Sequence, residues 1–197
     1  RNVTEQIRLS KEYITLRREM ERQAEFNNII TQSKKIKAIF RLIERVASTM
    51  SSVLITGESG TGKGLVAQKL HQLSHRAKRP FITVDCGTLV ETLFESELFG
   101  HERGAYTGAI SKHVGRFELA NEGTLLLDEI SEISPNIQAK LLRVLEEEEF
   151  ERVGGTRTMK VDVRIISATN KDLEQLVREE KFRDDLFYRL KVVTIEV

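Results

Sequence analysis

Apolar residues follow two different spacings along this chain. Within the first 25 residues, charged side chains surround Leu9, Tyr13, Leu16 and Met20, which lie four, three and four positions apart. That spacing places one narrow apolar stripe along a helix. The pattern predicts either a linker helix that pairs with another helix in a short coiled coil or a helix packed on its own domain. We therefore treat residues 1–25 as a separate linker segment.

From Phe26 onward, short apolar runs alternate with amphipathic stretches. The predicted helices are Ser33 to Ala47, Lys63 to Leu73 and Ile137 to Glu147. The predicted strands are Val53 to Thr56, Phe81 to Val84, Thr124 to Asp128, Val163 to Ala168 and Val192 to Val197. Runs that are apolar at consecutive positions are typical of strands buried on both faces, and helices of this length cross over parallel sheets. Residues 26–197 thus predict an α/β domain with a doubly wound, parallel, five-stranded sheet, and Gly154 marks a hairpin inserted before the fourth strand.

The composition narrows the class of protein. A chain of 197 residues with 40% hydrophobic positions can bury the core of one α/β domain. The 31 basic and 30 acidic residues leave a formal net charge of +1, so no overall field draws the chain to nucleic acid or to an anionic membrane. No apolar run approaches the ~20 residues of a membrane span, and we expect a cytoplasmic protein with no membrane partner. The single cysteine, Cys86, is expected to be a small buried core residue.

A glycine-rich turn joins the first predicted strand to the helix that follows it. The turn reads Gly57-Glu58-Ser59-Gly60-Thr61-Gly62-Lys63. Glycines let the backbone amides curl round phosphate oxygens, the helix amino terminus adds positive potential, and the lysine reaches the β- and γ-phosphates. The turn is therefore interpreted as a P-loop. Because Gly64 comes next, the hydroxyl that usually binds magnesium is missing, and the helix is weakened by up to ~1 kcal/mol relative to alanine.

Two carboxylates end the third predicted strand. Open α/β sheets bind ligands at the carboxyl ends of their strands, which is where Asp128 and Glu129 lie. Asp128 is predicted to hold a hydrated magnesium ion, and Glu129 to orient and deprotonate the attacking water. A second interpretation is that Glu129 only complements the dipole of a following helix. The predicted cofactors are ATP and Mg²⁺.

Further polar side chains follow the fourth predicted strand. Asn170, directly after Thr169, is predicted either to hold the attacking water and sense the γ-phosphate or to cap a helix that begins at Asp172. Arg183 and Arg189 lie six positions apart, so on one helix they would face different sides. One of them could stabilise γ-phosphate charge in a neighbouring subunit while the other pairs locally, for instance Arg189 with Asp185.

Residues 26–197 resemble the central domain of bacterial enhancer-binding proteins, the AAA+ activators of sigma-54 RNA polymerase. The most specific match is the run from Glu95 to Arg103 that leads into Gly104-Ala105-Tyr106-Thr107-Gly108-Ala109. This segment resembles the family's sigma-contacting loop, with Tyr106 where phenylalanine is usual. The P-loop, the carboxylates at 128 and 129, the segment 168–170 and the arginine segment also match. The resemblance implies an AAA+ P-loop NTPase fold with strand order 5-1-4-3-2.

The resemblance also implies a mechanism. ATP bound between the subunits of a homo-oligomer, from a dimer up to a hexameric ring, raises the loop against sigma-54 and remodels closed promoter complexes. The implied catalytic set is Lys63, Asp85, Asp128, Glu129, Thr169, Asn170, Arg183 and Arg189. The implied nucleotide-binding set is Gly57, Glu58, Ser59, Gly60, Thr61, Gly62, Lys63, Gly64 and Leu65. The implied sigma-binding set is Gly104, Ala105, Tyr106, Thr107, Gly108 and Ala109.

Parts of such an activator are implied but are not visible in this sequence. They are a helical lid, a domain that binds enhancer DNA and an input domain of the kind found in two-component systems. For the loop itself, small residues and glycines favour a mobile tip, on which Tyr106 offers a large amphipathic contact surface. The alternative, a tyrosine buried in the core, is disfavoured because small residues surround it.

Three positions depart from the family pattern. Gly64 replaces the usual glutamate, which predicts altered magnesium binding or turnover. Asp85 stands where many members have an asparagine that holds the catalytic glutamate, and a carboxylate there would repel Glu129. Ile30-Thr31 replaces the usual Ile-Gly near the adenine-facing segment.

Three functions follow from these observations. The first is an ATP-hydrolysing transcription activator. The second is a nucleotide-gated assembly scaffold that hydrolyses ATP weakly or not at all because of Gly64. The third, a nucleic-acid helicase or loader on the same fold, is disfavoured by the balanced charge and by the loop around Tyr106.

Overall fold

The computed structural model describes residues 34–197 of the chain. In chain order the elements are α1 Lys34–Ala47, β1 Val53–Thr56, α2 Lys63–Gln72, β2 Phe81–Asp85, α3 Glu91–Phe99, α4 Arg116–Leu119, β3 Thr124–Asp128, a single-turn 3-10 helix Ile130–Glu132, α5 Pro135–Glu147, β4 Glu149–Glu151, β5 Thr158–Lys160, β6 Arg164–Thr169, α6 Leu173–Arg178, α7 Asp184–Leu190 and β7 Val193–Glu196. The chain divides into two units, residues 1–37 and 38–197, and all elements from β1 onward belong to the second. The predicted linker at residues 1–25, its boundary and Ile30-Thr31 lie outside the described residues.

Five parallel strands form the central sheet, as the apolar runs predict. Their order from one edge is β7-β1-β6-β3-β2. Counted as the five predicted strands, this order reads 5-1-4-3-2. β1 is an interior strand, since Val53 pairs with Ile166 of β6 on one side and with Val193 of β7 on the other. The P-loop turn therefore leaves the sheet's carboxyl edge between two neighbouring strands, β6 and β7.

The core lies on both faces of this sheet, because successive strand residues point in opposite directions. Val53 and Ile55 of β1 pack in one apolar cluster with Leu70 of α2, whereas Leu54 packs in a second cluster with Leu141 of α5 and Leu186 of α7. Helices α1 and α2 cover the first face, and α3, α5 and α7 cover the second. Burial on both faces explains the consecutive apolar residues Val53 to Ile55 in β1 and Leu125 to Leu127 in β3.

A buried arginine fixes the end of α1 to the sheet. Arg164, the first residue of β6, is 1% exposed and donates to the carbonyl oxygens of Ala47 and Val46, both at 2.9 Å. These carbonyls belong to the last turn of α1, where the helix dipole favours a cation. Burial lowers the pKa of Arg164 from its ordinary value, and the nearby Arg76 lowers it further.

The structure differs from the sequence predictions mainly at element ends. The hairpin near Gly154 is confirmed as the antiparallel pair β4 and β5, in which Phe150 faces Met159. Thr169 lies inside β6, one residue beyond the predicted end. Arg183 lies outside α7 as its N-cap residue, so the two arginines do not share one helix. Helices α3 and α4 were not predicted.

None of the helices in residues 34–197 has the length and apolar character that crossing a bilayer demands.

Candidate functional site

The P-loop connects the end of β1 directly to the first turn of α2. Its glycines Gly57, Gly60 and Gly62 have φ angles of 155°, 82° and 94°. Gly62 is the N-cap of α2 in the left-handed region, a conformation that glycine adopts without steric cost. No side chain caps this helix end. The first amides of α2 are therefore available to an anionic ligand, as the phosphate-binding interpretation requires.

Lys63 is folded back on the loop that carries it. Its Nζ donates to the carbonyl oxygens of Gly57 and Glu58, both at 3.0 Å, and lies 3.8 Å from Glu129 Oε1. The residue is only 7% exposed. The ammonium group thus occupies the space that the loop encloses, and it lies between the P-loop and the carboxylate at the end of β3.

Asp128 and Glu129 leave β3 in different environments. Asp128 is half-buried, and its Oδ1 accepts from the amide of Glu129 at 3.1 Å. Glu129 is the N-cap of the 3-10 helix and adopts φ 52° and ψ 50°, a left-handed conformation that costs a non-glycine residue about 1 kcal/mol or more. Its Oε2 accepts from the amide of Asn170 at 3.3 Å. The strained backbone turns this carboxylate toward Lys63 and the end of β6.

The end of β6 contributes its backbone more than its side chains. Thr169 is fully buried, and its Oγ1 donates to Ser131 Oγ at 3.0 Å while accepting from the amide of Lys171 at 3.0 Å. The side chain of Asn170 is exposed. The interpretation of Asn170 as a helix cap is wrong, because the cap of α6 is Asp172, which accepts from the amides of Glu174 and Gln175.

Asp85 ends β2 beside β3, where its Cα pairs with that of Asp128. Its Oδ1 accepts from the amide of Gly87 at 2.9 Å. Within residues 34–197, no hydrogen bond joins Asp85 to Glu129. The neighbouring Cys86 is buried as predicted, and burial raises the pKa of its thiol far above the ordinary value, with Asp85 and Asp128 adding to the shift.

A cleft of about 420 Å³ opens beside the P-loop. It extends from Gly57 and Glu58 past Asn170 to Phe187 of α7 and Thr194 of β7. Its volume falls within the range of small-molecule sites. The cleft thus lies between the P-loop and the end of β6, and Glu129 of the β3 end contacts both segments through Lys63 and the Asn170 amide.

The two arginines do not join this group. Arg183 makes a bidentate ion pair with Asp185, donating from Nε to Oδ1 at 3.0 Å and from Nη2 to Oδ2 at 2.7 Å. Arg189 donates instead to the carbonyl oxygen of Leu145, from Nη2 at 2.8 Å. The proposed ion pair between Arg189 and Asp185 is therefore wrong, since the partner of Asp185 is Arg183.

Arg189 also lies at the far edge of the sheet. It lines a cleft of about 340 Å³ with Ser52, Val163 and Val192, which immediately precede β1, β6 and β7. In a parallel sheet these positions mark the amino edge, whereas the P-loop leaves the carboxyl edge. Arg189 therefore faces away from the P-loop of its own chain.

The loop from Gly104 to Ala109 is closed by its own backbone. The amide of Gly104 donates to the carbonyl oxygen of Ala109 at 2.8 Å, and the amide of Ala109 donates to that of Tyr106 at 3.0 Å. Tyr106 is 36% exposed, and its ring meets the edge of the His101 ring at a centroid distance of 5.1 Å. The tyrosine is thus not a core residue, although it has a packing partner that the sequence did not indicate.

The sequence did not indicate that an arginine is buried beneath this loop. Arg152, which follows β4, donates from Nε to Glu118 Oε1 at 2.8 Å, from Nη2 to Glu118 Oε2, and from Nη1 to Glu102 Oε1 at 2.6 Å. Next to it, Gly154 lies so close to Ala105 that an added Cβ would come within 2.7 Å of the Ala105 Cβ. The hairpin β4–β5 thus supports the loop stem, a contact that no spacing in the sequence signals.

Comparison with known proteins identifies the family. Residues 29–196 match the family described as the Sigma-54 interaction domain. A Nif-specific regulatory protein from Herbaspirillum seropedicae is 53% identical over 191 residues, which make up 97% of this chain and 35% of that relative. The chain thus spans about a third of the length of this curated relative.

Solved structures agree with this match. NtrX from Brucella abortus in complex with ATP superposes with a TM-score of 0.80 and 41% identity, over 98% of this chain and 42% of that chain. The P-loop NTPase domain of the sigma-54 transport activator from E. coli shares the fold, with a TM-score of 0.56 and 21% identity over 85% of this chain and 96% of that one. The chain therefore belongs to the Sigma-54 interaction domain family, the AAA+ domain of sigma-54-dependent enhancer-binding activators.

Proposed function

We propose that this domain hydrolyses ATP and uses the hydrolysis to drive the loop Gly104 to Ala109 against sigma-54, remodelling the closed promoter complex. The observation that carries the proposal is the position of Glu129. Its carboxylate lies 3.8 Å from Lys63 Nζ and accepts from the amide of Asn170, beside a helix amino terminus with open amides. This arrangement supports a general base next to a phosphate site.

In the proposed reaction, Lys63 leaves the carbonyl oxygens of Gly57 and Glu58 and contacts the phosphate oxygens of ATP. A water attacks the γ-phosphorus, the bond from that phosphorus to the bridging oxygen of ADP breaks, and Glu129 takes the proton of the water. The amides that follow Gly62 stabilise negative charge on the phosphate oxygens.

The site is compatible with magnesium through Asp128. One carboxylate oxygen of Asp128 is engaged by the Glu129 amide, and its other oxygen makes no hydrogen bond within residues 34–197. Nowhere in that range do three or more His, Cys, Asp or Glu side chains cluster as metal ligands. Magnesium binds in proteins through one or two carboxylates together with waters and substrate phosphates, where it neutralises phosphate charge.

The arginines support a site shared between subunits. Arg189 faces the amino edge of the sheet, so its guanidinium serves the phosphate of an adjacent subunit in the proposed homo-oligomer. Arg183 is exposed and held by Asp185, which pre-orients its planar group for a second contact across the boundary. The proposal thus assigns hydrolysis to a dimer or larger ring, with a hexamer as the expected closed form.

The second candidate function, an assembly scaffold with weak hydrolysis, is favoured by Gly64 alone. Gly64 supplies no hydroxyl for magnesium, and nothing lies within 4 Å of a Cβ placed there. Because Asp128 remains available to bind magnesium, we propose the ATP-hydrolysing activator as the first of the two functions. Enhancer DNA binding belongs in this proposal to a domain outside the sequence described here.

Phosphate release at saturating ATP and magnesium tests the proposal. We expect Glu129→Gln to lower kcat at least about a hundredfold, with little change in the affinity for a fluorescent ADP, because only the general base is lost. Glu146→Gln, which changes an exposed carboxylate on α5, is the matched control and should match the wild type. A wild-type rate equal to that of Glu129→Gln would favour the scaffold. Failure of the folded protein to bind adenine nucleotide would remove both candidates.

Substitution of Tyr106 tests the coupling to sigma-54. We expect Tyr106→Ala to retain most of the ATPase activity, since the ring contacts His101 and not the nucleotide cleft. The same variant should fail to capture sigma-54 in the presence of a transition-state analogue, while Tyr106→Phe should capture it. Capture by Tyr106→Ala at the wild-type level would remove this loop from the mechanism.

A further inference from the structure

A closed ring of polar contacts joins the end of β6 to the 3-10 helix that follows Glu129. Thr169 Oγ1 donates to Ser131 Oγ at 3.0 Å, and Ser131 Oγ donates to Glu132 Oε1 at 3.2 Å. Glu132 Oε1 lies 2.6 Å from Lys171 Nζ, and the amide of Lys171 donates back to Thr169 Oγ1 at 3.0 Å. Two links of this ring, Thr169–Ser131 and Glu132–Lys171, join segments about 40 positions apart, and the other two lie within a segment.

The ring joins the two segments that carry the carboxylate proposed as the general base and its hydrogen-bond donor. Glu129 lies immediately before the 3-10 helix, and Asn170 lies between the two β6-side members of the ring, Thr169 and Lys171. The contact from the Asn170 amide to Glu129 Oε2 is therefore flanked on both sides by the ring. A shift of the 3-10 helix relative to β6 would move Glu129 and its hydrogen-bond donor apart.

Ser131 provides one of the two links between the segments, and the Glu132–Lys171 pair provides the other. Ser131 accepts from Thr169 with one lone pair and donates its only proton to Glu132, so its hydroxyl connects the two residues and has no further proton to donate. Thr169 is used in the same way, because its hydroxyl donates to Ser131 and accepts from Lys171. The buried hydroxyl of Thr169 thus faces Ser131, and its effect on the site passes through the ring.

We propose that Ser131 is a positioning residue for Glu129, which it holds in register with the Asn170 amide through Thr169 and the Glu132–Lys171 pair. This inference rests on the proposed ATPase function. The backbone of Glu129 is strained in a left-handed conformation, which persists only when the surrounding structure holds it. We infer that the ring supplies part of this support.

The test compares Ser131→Ala with Ser131→Thr. We expect Ser131→Ala to lower kcat for ATP by about tenfold, while KM and the affinity for fluorescent ADP change by less than about twofold, because only the alignment of the base is lost. Ser131→Thr keeps the hydroxyl and should recover most of the rate. Ser134→Ala is the matched control, since it removes a hydroxyl that caps α5 three residues further on and contacts nothing in the ring.

A second measurement does not depend on activity. The amide resonance of Asn170 in a ¹H–¹⁵N spectrum should shift in Ser131→Ala toward its position in Glu129→Gln, and should stay unchanged in Ser134→Ala. An unchanged Asn170 resonance in Ser131→Ala would overturn the proposal, as would equal losses of kcat in Ser131→Ala and Ser134→Ala. A wild-type protein without ATPase activity would contradict the proposed function alone, and the Asn170 resonance would still decide the role of Ser131.

Discussion

Gly60 and Gly64 lie four positions apart in the P-loop and in the first turn of α2. A Cβ added to either glycine would meet no atom within 4 Å, so steric crowding does not distinguish them. The two glycines differ in backbone conformation, because Gly60 has φ 82° while Gly64 lies within a regular helix. The same substitution at the two positions therefore isolates the effect of backbone conformation.

We expect Gly64→Ala to raise the free energy of unfolding by up to about 1 kcal/mol, since alanine loses less backbone entropy than glycine in a helix. Gly60→Ala should lower it by about 1 kcal/mol, because an L-residue is strained at that φ. Urea denaturation of the two variants at pH 7 measures both values. A loss of stability in Gly64→Ala would mean that the first turn of α2 is not helical in solution.

Among the elements, the hairpin β4–β5 is tied to the loop stem by Arg152. The guanidinium is 8% exposed and bridges Glu118 of α4 and Glu102, which precedes the loop. Burial is the largest effect and raises the pKa of Glu118, but the hydrogen bonds from Arg152 and the Gly115 amide, together with the positive charges of Arg152 and Lys112, outweigh it, and the net pKa lies below the ordinary value of 4.5. The ionised form is therefore the one that the folded structure stabilises.

We expect Arg152→Met to lower the free energy of unfolding by about 2–4 kcal/mol at pH 7, because it leaves the half-buried Glu118 carboxylate without its partner. Arg143→Met, which breaks an exposed pair with Glu147 on α5, should lower the free energy of unfolding far less, because exposed ion pairs contribute little to stability. Denaturant titrations compare the two variants.

The effect of Arg152→Met should depend on pH. Because the folded pKa of Glu118 is lowered, its contribution is present above the ordinary pKa of 4.5 and is lost as the pH falls through the folded value. The difference between wild type and Arg152→Met should therefore shrink below pH 4.5. A difference that stays constant from pH 7 to pH 3.5 would show that the pair is not the cause.

For the whole molecule, the position of Arg189 requires a neighbour if it is to contact phosphate. It lies at the amino edge of the sheet, whereas Lys63 follows the carboxyl edge. A site built from two chains makes hydrolysis per subunit rise with protein concentration. It also allows two defective chains to form one complete site.

We expect Arg189→Ala and Lys63→Ala each to abolish ATPase activity alone and a mixture of the two to recover part of it, because some interfaces then combine an intact P-loop with an intact arginine. Arg183→Ala should complement Lys63→Ala in the same way. A mixture of Glu129→Gln with Lys63→Ala is the control, since both changes lie in one P-loop site and no interface becomes complete. Recovery in the control mixture alone would contradict a shared site.

The sequence by itself determined the α/β class, the parallel sheet, the hairpin and the group formed by the P-loop with Asp128 and Glu129. Adjacent residues define each of these features, which are apolar runs, glycine turns and carboxylates at the end of a strand. Parallel strands then bring their carboxyl ends to one edge of the sheet. The sequence predicted the bounds of β6 and the position of Arg183 outside α7 less accurately, because hydrogen bonds at element ends decide where an element begins and ends.

Only the tertiary structure decided which side chains meet. The choice of Arg183 over Arg189 as the partner of Asp185, the burial of Arg152 between two glutamates and the ring through Ser131 all join residues by orientation or across long separations in sequence. Such contacts depend on how elements pack, and nothing in the spacing of a single element records them. Lys63, Thr169 and Asn170 were therefore identifiable as candidates from the sequence, but Ser131 and the hydrogen-bond partners of these residues were not.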